Sequence, residues 1–232
     1  MQGHEMERIK NQYKGAKPMN FMDEEVIEMT KQARQKKRLE NIENQLLHTD
    51  MVKAIQDGQL KIEDETIAFT EMSFYEDQIR MCMPAAFDVM EPELMDIKYP
   101  SSRRPDYIYT SESTSINVTL KIMEQQVKEE ELEDFTETMR NILQKTQPTT
   151  KMLDIGMNEV NGLQIGYFDF ITPALDNKIY NLMFLFIVGK NVTMGSVNCL
   201  KKEMNIWKAI AYGMMESISV KNKLLDGEGV VE

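Results

Sequence analysis

The stretch from Lys151 to Cys199 reads KMLDIGMNEVNGLQIGYFDFITPALDNKIYNLMFLFIVGKNVTMGSVNC, and its punctuation decides the fold. Turn signals stand at Asn161-Gly162, Asp176-Asn177 and Lys190-Asn191. Asn and Gly reach the left-handed backbone that tight hairpins need, and Asn and Asp side chains bond their own backbone to close a turn. The segments at about 151–159, 163–172, 178–189 and 192–199 therefore predict four antiparallel strands in a meander.

Helical spacing flanks this meander on both sides. Upstream, Leu132, Phe135, Met139, Ile142 and Leu143 recur along one face of a helix over Glu129–Lys145. Its acids cluster early and Arg140 and Lys145 fall late, as the helix dipole favours. Downstream, Met204, Trp207, Ala211, Met214 and Ile218 mark a closing helix at about 201–218. Earlier still, Ile79, Met81 and Met83 alternate with polar neighbours after a turn at Glu76-Asp77. Tyr107 and Tyr109 alternate likewise, as do Ile116, Val118, Leu120 and Ile122. Pro92 suits the first turn of a short helix ending before Pro100. Each amphipathic helix must bury its stripe, and no βαβα alternation is present. The fold class is therefore α+β, an antiparallel sheet with helices packed on it.

The N-terminal part differs. Residues 1–22 show no sustained period and read as a tail. Residues 23–64 read as a helical arm. Val26, Met29 and Ala33 form one apolar stripe, and Leu39, Ile42 and Leu46 form another out of phase with it. A short second helix follows, with Asp50 as its cap and Gly58 as its stop. The sandwich domain is placed at 65–220, and 221–232 reads as a C-terminal tail.

Bulk properties exclude several functions. The chain carries a formal charge of −11. Residues 65–232 hold 16 Lys/Arg against 26 Asp/Glu, so the main domain repels phosphate backbones and no nucleic-acid partner is expected. The basic run Arg34–Arg38 is flanked by acids and reads as a solvated helix face. No stretch approaches the ~18 apolar residues of a membrane span. Met1-Gln2-Gly3-His4-Glu5 has no apolar leader pattern, and the two cysteines, Cys82 and Cys199, read as buried reduced thiols. A cytoplasmic protein is expected.

Catalytic groups are sparse. The two histidines, His4 and His48, fall in the tail and the arm. Cys82 and Cys199 match no zinc spacing, and no glycine-rich phosphate loop occurs, so no metal and no cofactor is expected. Arg103-Arg104, held between Pro100 and Pro105, admits two readings. They could form a rigid fork for a carboxylate or phosphate, or one arginine could pair with an acid to fix the loop. The 20 methionines also admit two readings, core filling or an adaptable apolar groove.

The segment Pro84-Ala85-Ala86-Phe87, the loop Tyr99-Pro100-Ser101-Ser102-Arg103-Arg104-Pro105 and the strand Tyr107-Ile108-Tyr109-Thr110 resemble an uncharacterised Firmicute family. That family carries a K-Y-P-S-x-x-R-P loop followed by an I-Y-T strand. Gly166-Tyr167-Phe168-Asp169-Phe170, Ile179–Phe184 and Trp207 look like the same group, and the likeness spans about 65–220. It implies the PsbP-like α/β/α sandwich, shared with DcrB-type and Mog proteins, and a role in binding rather than catalysis. Tyr99, Arg103, Arg104 and Trp207 are its candidate binding residues. The expectation is a non-catalytic adaptor or chaperone-like module, secretion-associated, whose partner is another protein, with the arm helix as second contact or homodimer element. The alternative is a small-molecule hydrolase or transferase using carboxylate and arginine chemistry.

Overall fold

The computed structural model describes residues 20–47 and 49–221, so both histidines and the outer parts of the two tails lie outside the described residues. The chain divides into two compact units between Asn44 and Gln45. The first holds most of α1 (Asn20–Leu47), a single continuous helix. Every residue from Glu24 to Arg38 is exposed. Thr30 Oγ1 donates to the Val26 carbonyl at 2.7 Å, and Gln32 donates to Glu28, so the polar side chains are used within the helix itself.

The second unit begins earlier than the sequence predicts. The sequence places residues 23–64 in the arm, yet α2 (Met51–Gln56) packs on the closing helix and β1 (Gln59–Ile62) pairs with β2 (Glu65–Phe74). Leu60 and Ile62 bury on alternate positions of β1, and Gln45 donates to the Lys61 carbonyl at 2.7 Å. Asp50 caps α2 as expected, accepting from the Lys53 N–H at 3.0 Å.

Nine further strands and three α-helices complete it among the described residues. They are β3 (Ile79–Pro84), β4 (Asp88–Val89), α3 (Pro92–Lys98), β5 (Tyr107–Thr110), β6 (Asn117–Gln126) and α4 (Leu132–Thr146). The meander follows as β7 (Lys151–Val160), β8 (Leu163–Pro173), β9 (Lys178–Val188) and β10 (Asn191–Leu200). Then come α5 (Met204–Met215) and β11 (Ser219–Val220). The last turn is Gly189-Lys190 rather than Lys190-Asn191, because Asn191 already pairs with Val188.

Two sheets form, where the sequence suggested one. The larger runs β4-β5-β6-β10-β9-β8-β7, and the smaller runs β1-β2-β3-β11. On one face of the large sheet Leu132 of α4 meets Phe168, Phe170, Leu185 and Val192. Helix α4 comes close because Gly166 lies beneath it; a Cβ there would stand 2.0 Å from Thr136 Oγ1. The opposite face carries Tyr180, Leu182, Phe184 and Phe186, all fully buried. Helix α5 covers β9 and β10 on that side, and Phe74 of the small sheet meets the Tyr107 and Tyr109 rings edge-on at 5.2 and 6.0 Å. Each such buried ring or aliphatic side chain contributes roughly 1.5–3 kcal/mol. The result is the expected α+β layering, with α4 on one face and α5 plus the small sheet on the other.

Candidate binding surfaces

Tyr99, Arg103 and Arg104 meet the α4 side of the large sheet, above β6 and β10. Asn198 Nδ2 donates to Tyr99 Oη at 3.5 Å, and Lys121 Nζ donates to the Arg103 and Arg104 carbonyls at 3.2 and 2.9 Å. The loop is thus bolted down through its backbone. Arg104 Nη1 donates to Asp96 Oδ1 at 2.6 Å, which ties the loop to α3. Arg103 is exposed. Beneath the loop a polar row crosses the sheet. Thr110 donates to Asn117 at 2.9 Å, Asn117 to Asn198 at 2.8 Å, and Thr119 meets Ser196 at 2.8 Å. Asn117 and Thr119 are each 5% exposed, so the polar face of β6 is interior and satisfied across the strands.

A cleft of about 810 Å³ opens at the N-terminal end of α4. Val127, Leu132, Leu163, Ile187 and Val188 give it an aliphatic lining. Lys128, Lys190 and Lys221 also line it, against Glu129 and Glu131. Glu131 is already committed, since its carboxylate accepts from the Lys128 N–H at 3.1 Å and caps the helix start. Leu132 and Ile187 also belong to the core under α4. Around that core Met123, Met139, Met152, Met157, Met183 and Met194 are only half-buried. Methionine therefore occurs at two depths: Met81, Met83, Met90, Met214 and Met215 fill the interior, while these six lie half-buried around the core under α4.

A second constellation lies under α5, and the sequence reading did not assemble it. Asp169 of β8 is wholly buried. Its Oδ2 receives Lys208 Nζ at 2.7 Å and Tyr180 Oη at 3.0 Å, and its Oδ1 accepts from the Asp154 N–H at 2.7 Å. A register shift in β7 between Met152 and Ile155 accompanies that last bond. Lys208 Nζ also lies 5.9 Å from the centre of the Tyr180 ring and 5.6 Å from that of Tyr212. Burial first, then the Asp169 charge, pushes the Tyr180 and Tyr212 hydroxyls far above the usual phenol range. Every bond to Asp169 comes from within the fold, which makes the cluster an anchor for α5. The one readable sign was an acid set among the apolar residues of Tyr167-Phe168-Asp169-Phe170.

Trp207 sits on this same side, stacked on Phe87 with ring centres 5.6 Å apart. The large sheet therefore separates it from the Tyr99 loop, and the four predicted residues do not form one site. Among the described residues no group of three His, Cys, Asp or Glu side chains is placed to hold a metal, and no helix is long and apolar enough to cross a membrane.

No protein-family model matches the chain, and no curated protein matches its sequence. Solved structures do match its fold. The cyanobacterial PsbP (CyanoP) from Synechocystis sp. PCC 6803 superposes with a TM-score of 0.50 at 10% identity, covering 70% of this chain and 98% of its own. LpqN, involved in cell envelope biogenesis of Mycobacterium tuberculosis, gives a TM-score of 0.44 at 12% identity over 68% and 94% of the two chains. The immunity protein TplEi of the T6SS from Pseudomonas aeruginosa gives 0.35 at 10% identity over 72% and 81%. The first of these likenesses gives the chain its PsbP-like fold.

Proposed function

We propose that the protein is a non-catalytic, chaperone-like binding module of the cytoplasm that holds an apolar segment of another protein in the cleft beside α4. The observation that carries this is the aliphatic lining of that 810 Å³ cleft, continuous with the core under α4. Its size falls in the range of true binding pockets, roughly 300–1,000 Å³. The surrounding half-buried methionines are polarizable and re-pack easily, which suits a site that accepts varied apolar side chains. Lysines on the lining favour a segment flanked by acids. The hydrolase or transferase alternative would need carboxylates free to act in a cavity. Glu131 is occupied by its cap and Asp169 by Lys208 and Tyr180, which leaves Glu129 without a second free carboxylate in the cleft lining. The kinship with the K-Y-P-S-x-x-R-P group belongs to this same reading, although the bolted Tyr99–Pro105 loop contributes no residue to the cleft lining.

An apolar dye such as anilinonaphthalene sulfonate tests the cleft on the folded, monodisperse protein. We expect saturable fluorescence enhancement that falls at least fivefold in Ile187→Asp, a half-buried position, with the unfolding midpoint of the variant measured alongside. Enhancement absent from the wild-type chain, or unchanged in the variant, would exclude the cleft as the binding surface.

A further inference from the structure

After β11 the described chain ends at the wall of the cleft. The Lys221 N–H donates to the Gln78 carbonyl at 2.9 Å, and both residues line the cavity. Residues 222–232 follow and lie outside the described residues. Their sequence is Asn222-Lys223-Leu224-Leu225-Asp226-Gly227-Glu228-Gly229-Val230-Val231-Glu232. Two apolar pairs, Leu224-Leu225 and Val230-Val231, are interleaved with Asp226, Glu228 and Glu232, and Lys223 is the one base.

That composition complements the lining. Leu163, Ile187 and Val188 suit aliphatic side chains, and Lys128, Lys190 and Lys221 suit acids, with Glu129 opposing them. Two of these lysines have other neighbours. Lys128 Nζ lies 3.7 Å from Glu130 in an exposed pair, which is worth little in water, and Lys221 lends its charge to the Asp77 carboxyl. Lys190 makes no ion pair among the described residues. Position adds to chemistry. A chain advances at most about 3.6 Å per residue, so Leu224 and Leu225 can stand no farther than roughly 14 Å from Lys221. A segment tethered this closely meets the cleft at an effective concentration on the order of 1 mM. Contacts too weak to hold a free peptide therefore suffice within one chain.

We infer that residues 222–232 occupy the cleft of their own chain, with Leu224 and Leu225 on the aliphatic wall and Asp226 and Glu228 toward Lys190, and must leave before a partner's segment enters. The inference rests on the cleft being the binding surface and adds its regulation. It makes the tail a competitor. A contact with a local dissociation constant of about 0.1–0.3 mM, set against about 1 mM of tethered segment, weakens an incoming ligand roughly four- to elevenfold.

Methyl NMR of the full chain reads the outcome. Leu224→Ser combined with Leu225→Ser keeps the net charge and alters no residue of the described fold. Against wild type, the Leu163, Ile187 and Val188 methyl signals should shift in this variant. A synthetic peptide of residues 222–232, added at about 1 mM, should carry them back toward their wild-type positions. Anilinonaphthalene sulfonate should bind the variant roughly threefold or more tightly than it binds wild type, because its competitor is gone. Asp226→Asn combined with Glu228→Gln should give a smaller rise in dye affinity. Methyl signals that coincide in wild type and the double serine variant overturn the inference, as do equal dye affinities. Dye enhancement missing from both chains would fall on the cleft reading instead, and the methyl comparison would still decide the tail.

Discussion

At the turn between β2 and β3, Tyr75, Glu76 and Asp77 all have φ between 50° and 68°, a conformation that side chains with a Cβ adopt at a cost. Their side chains supply the compensation. Asp77 accepts from Arg80 Nε and Nη2, each at 2.7 Å, and from Ser73 Oγ at 2.9 Å. Tyr75 Oη donates to Asp106 and accepts from the Ile122 N–H, which pins the turn to β6. The Arg80 and Ser73 hydrogen bonds hold the Asp77 carboxyl down at about 2, from an ordinary value of 3.8. A depressed carboxyl stabilises the fold above its ordinary pKa, and that contribution is lost as the pH falls from about 4 to about 2. Carboxyl chemical shifts should show Asp77 titrating near 2, and Arg80→Ala should return it toward the ordinary value. The Asp169–Lys208 pair behaves differently because Asp169 has no access to water. Removing Lys208 strands a buried carboxylate, so Lys208→Ala should cost about 3 kcal/mol in urea unfolding, near the low end for broken buried pairs because Lys208 is partly exposed. Adding Asp169→Asn to that variant should recover part of the loss, since the amide can still accept from the Asp154 N–H without a charge.

Among the elements, β10 is held between β6 and β9. Gly195 pairs with Phe184 across the β9–β10 ladder, and a Cβ at Gly195 would fall 2.0 Å from that ring. Phe184 is fully buried and has nowhere to turn, so Gly195→Ala should destabilise by about 2–3 kcal/mol in the same unfolding measurement. The sequence announced β10 and its three predecessors because their turns carry local chemistry, and it announced α4 because five apolar residues repeat at helical spacing. It could not announce β1 and β11. The first spans Gln59–Ile62 and the second only Ser219–Val220, too short for a period to show. Their partners are also chosen by tertiary packing. Site residues divide the same way. The Tyr99–Pro105 loop was visible because two prolines and two arginines stand in one short run. The Asp169 anchor was not, because it draws on β7, β8, β9 and α5 at once.

For the molecule as a whole, the sheet unit is assembled from segments far apart in the chain. Within the sheet unit, the small sheet is closed by its most distant segment. β11 pairs Ser219 with Arg80 and Val220 with Ile79, and Ser217 Oγ accepts from the Cys82 N–H at 2.9 Å. The edge of β3 therefore waits for residues about 140 positions later in the chain. During synthesis the β1–β2–β3 hairpins leave the ribosome first and must remain open along that edge until α5 and β11 emerge. Translation, at about 5–20 residues per second, leaves that edge unpaired for roughly 7–28 seconds. In that interval the nascent chain exposes an unpaired strand bearing Ile79, Met81 and Met83, the kind of edge that pairs with other chains.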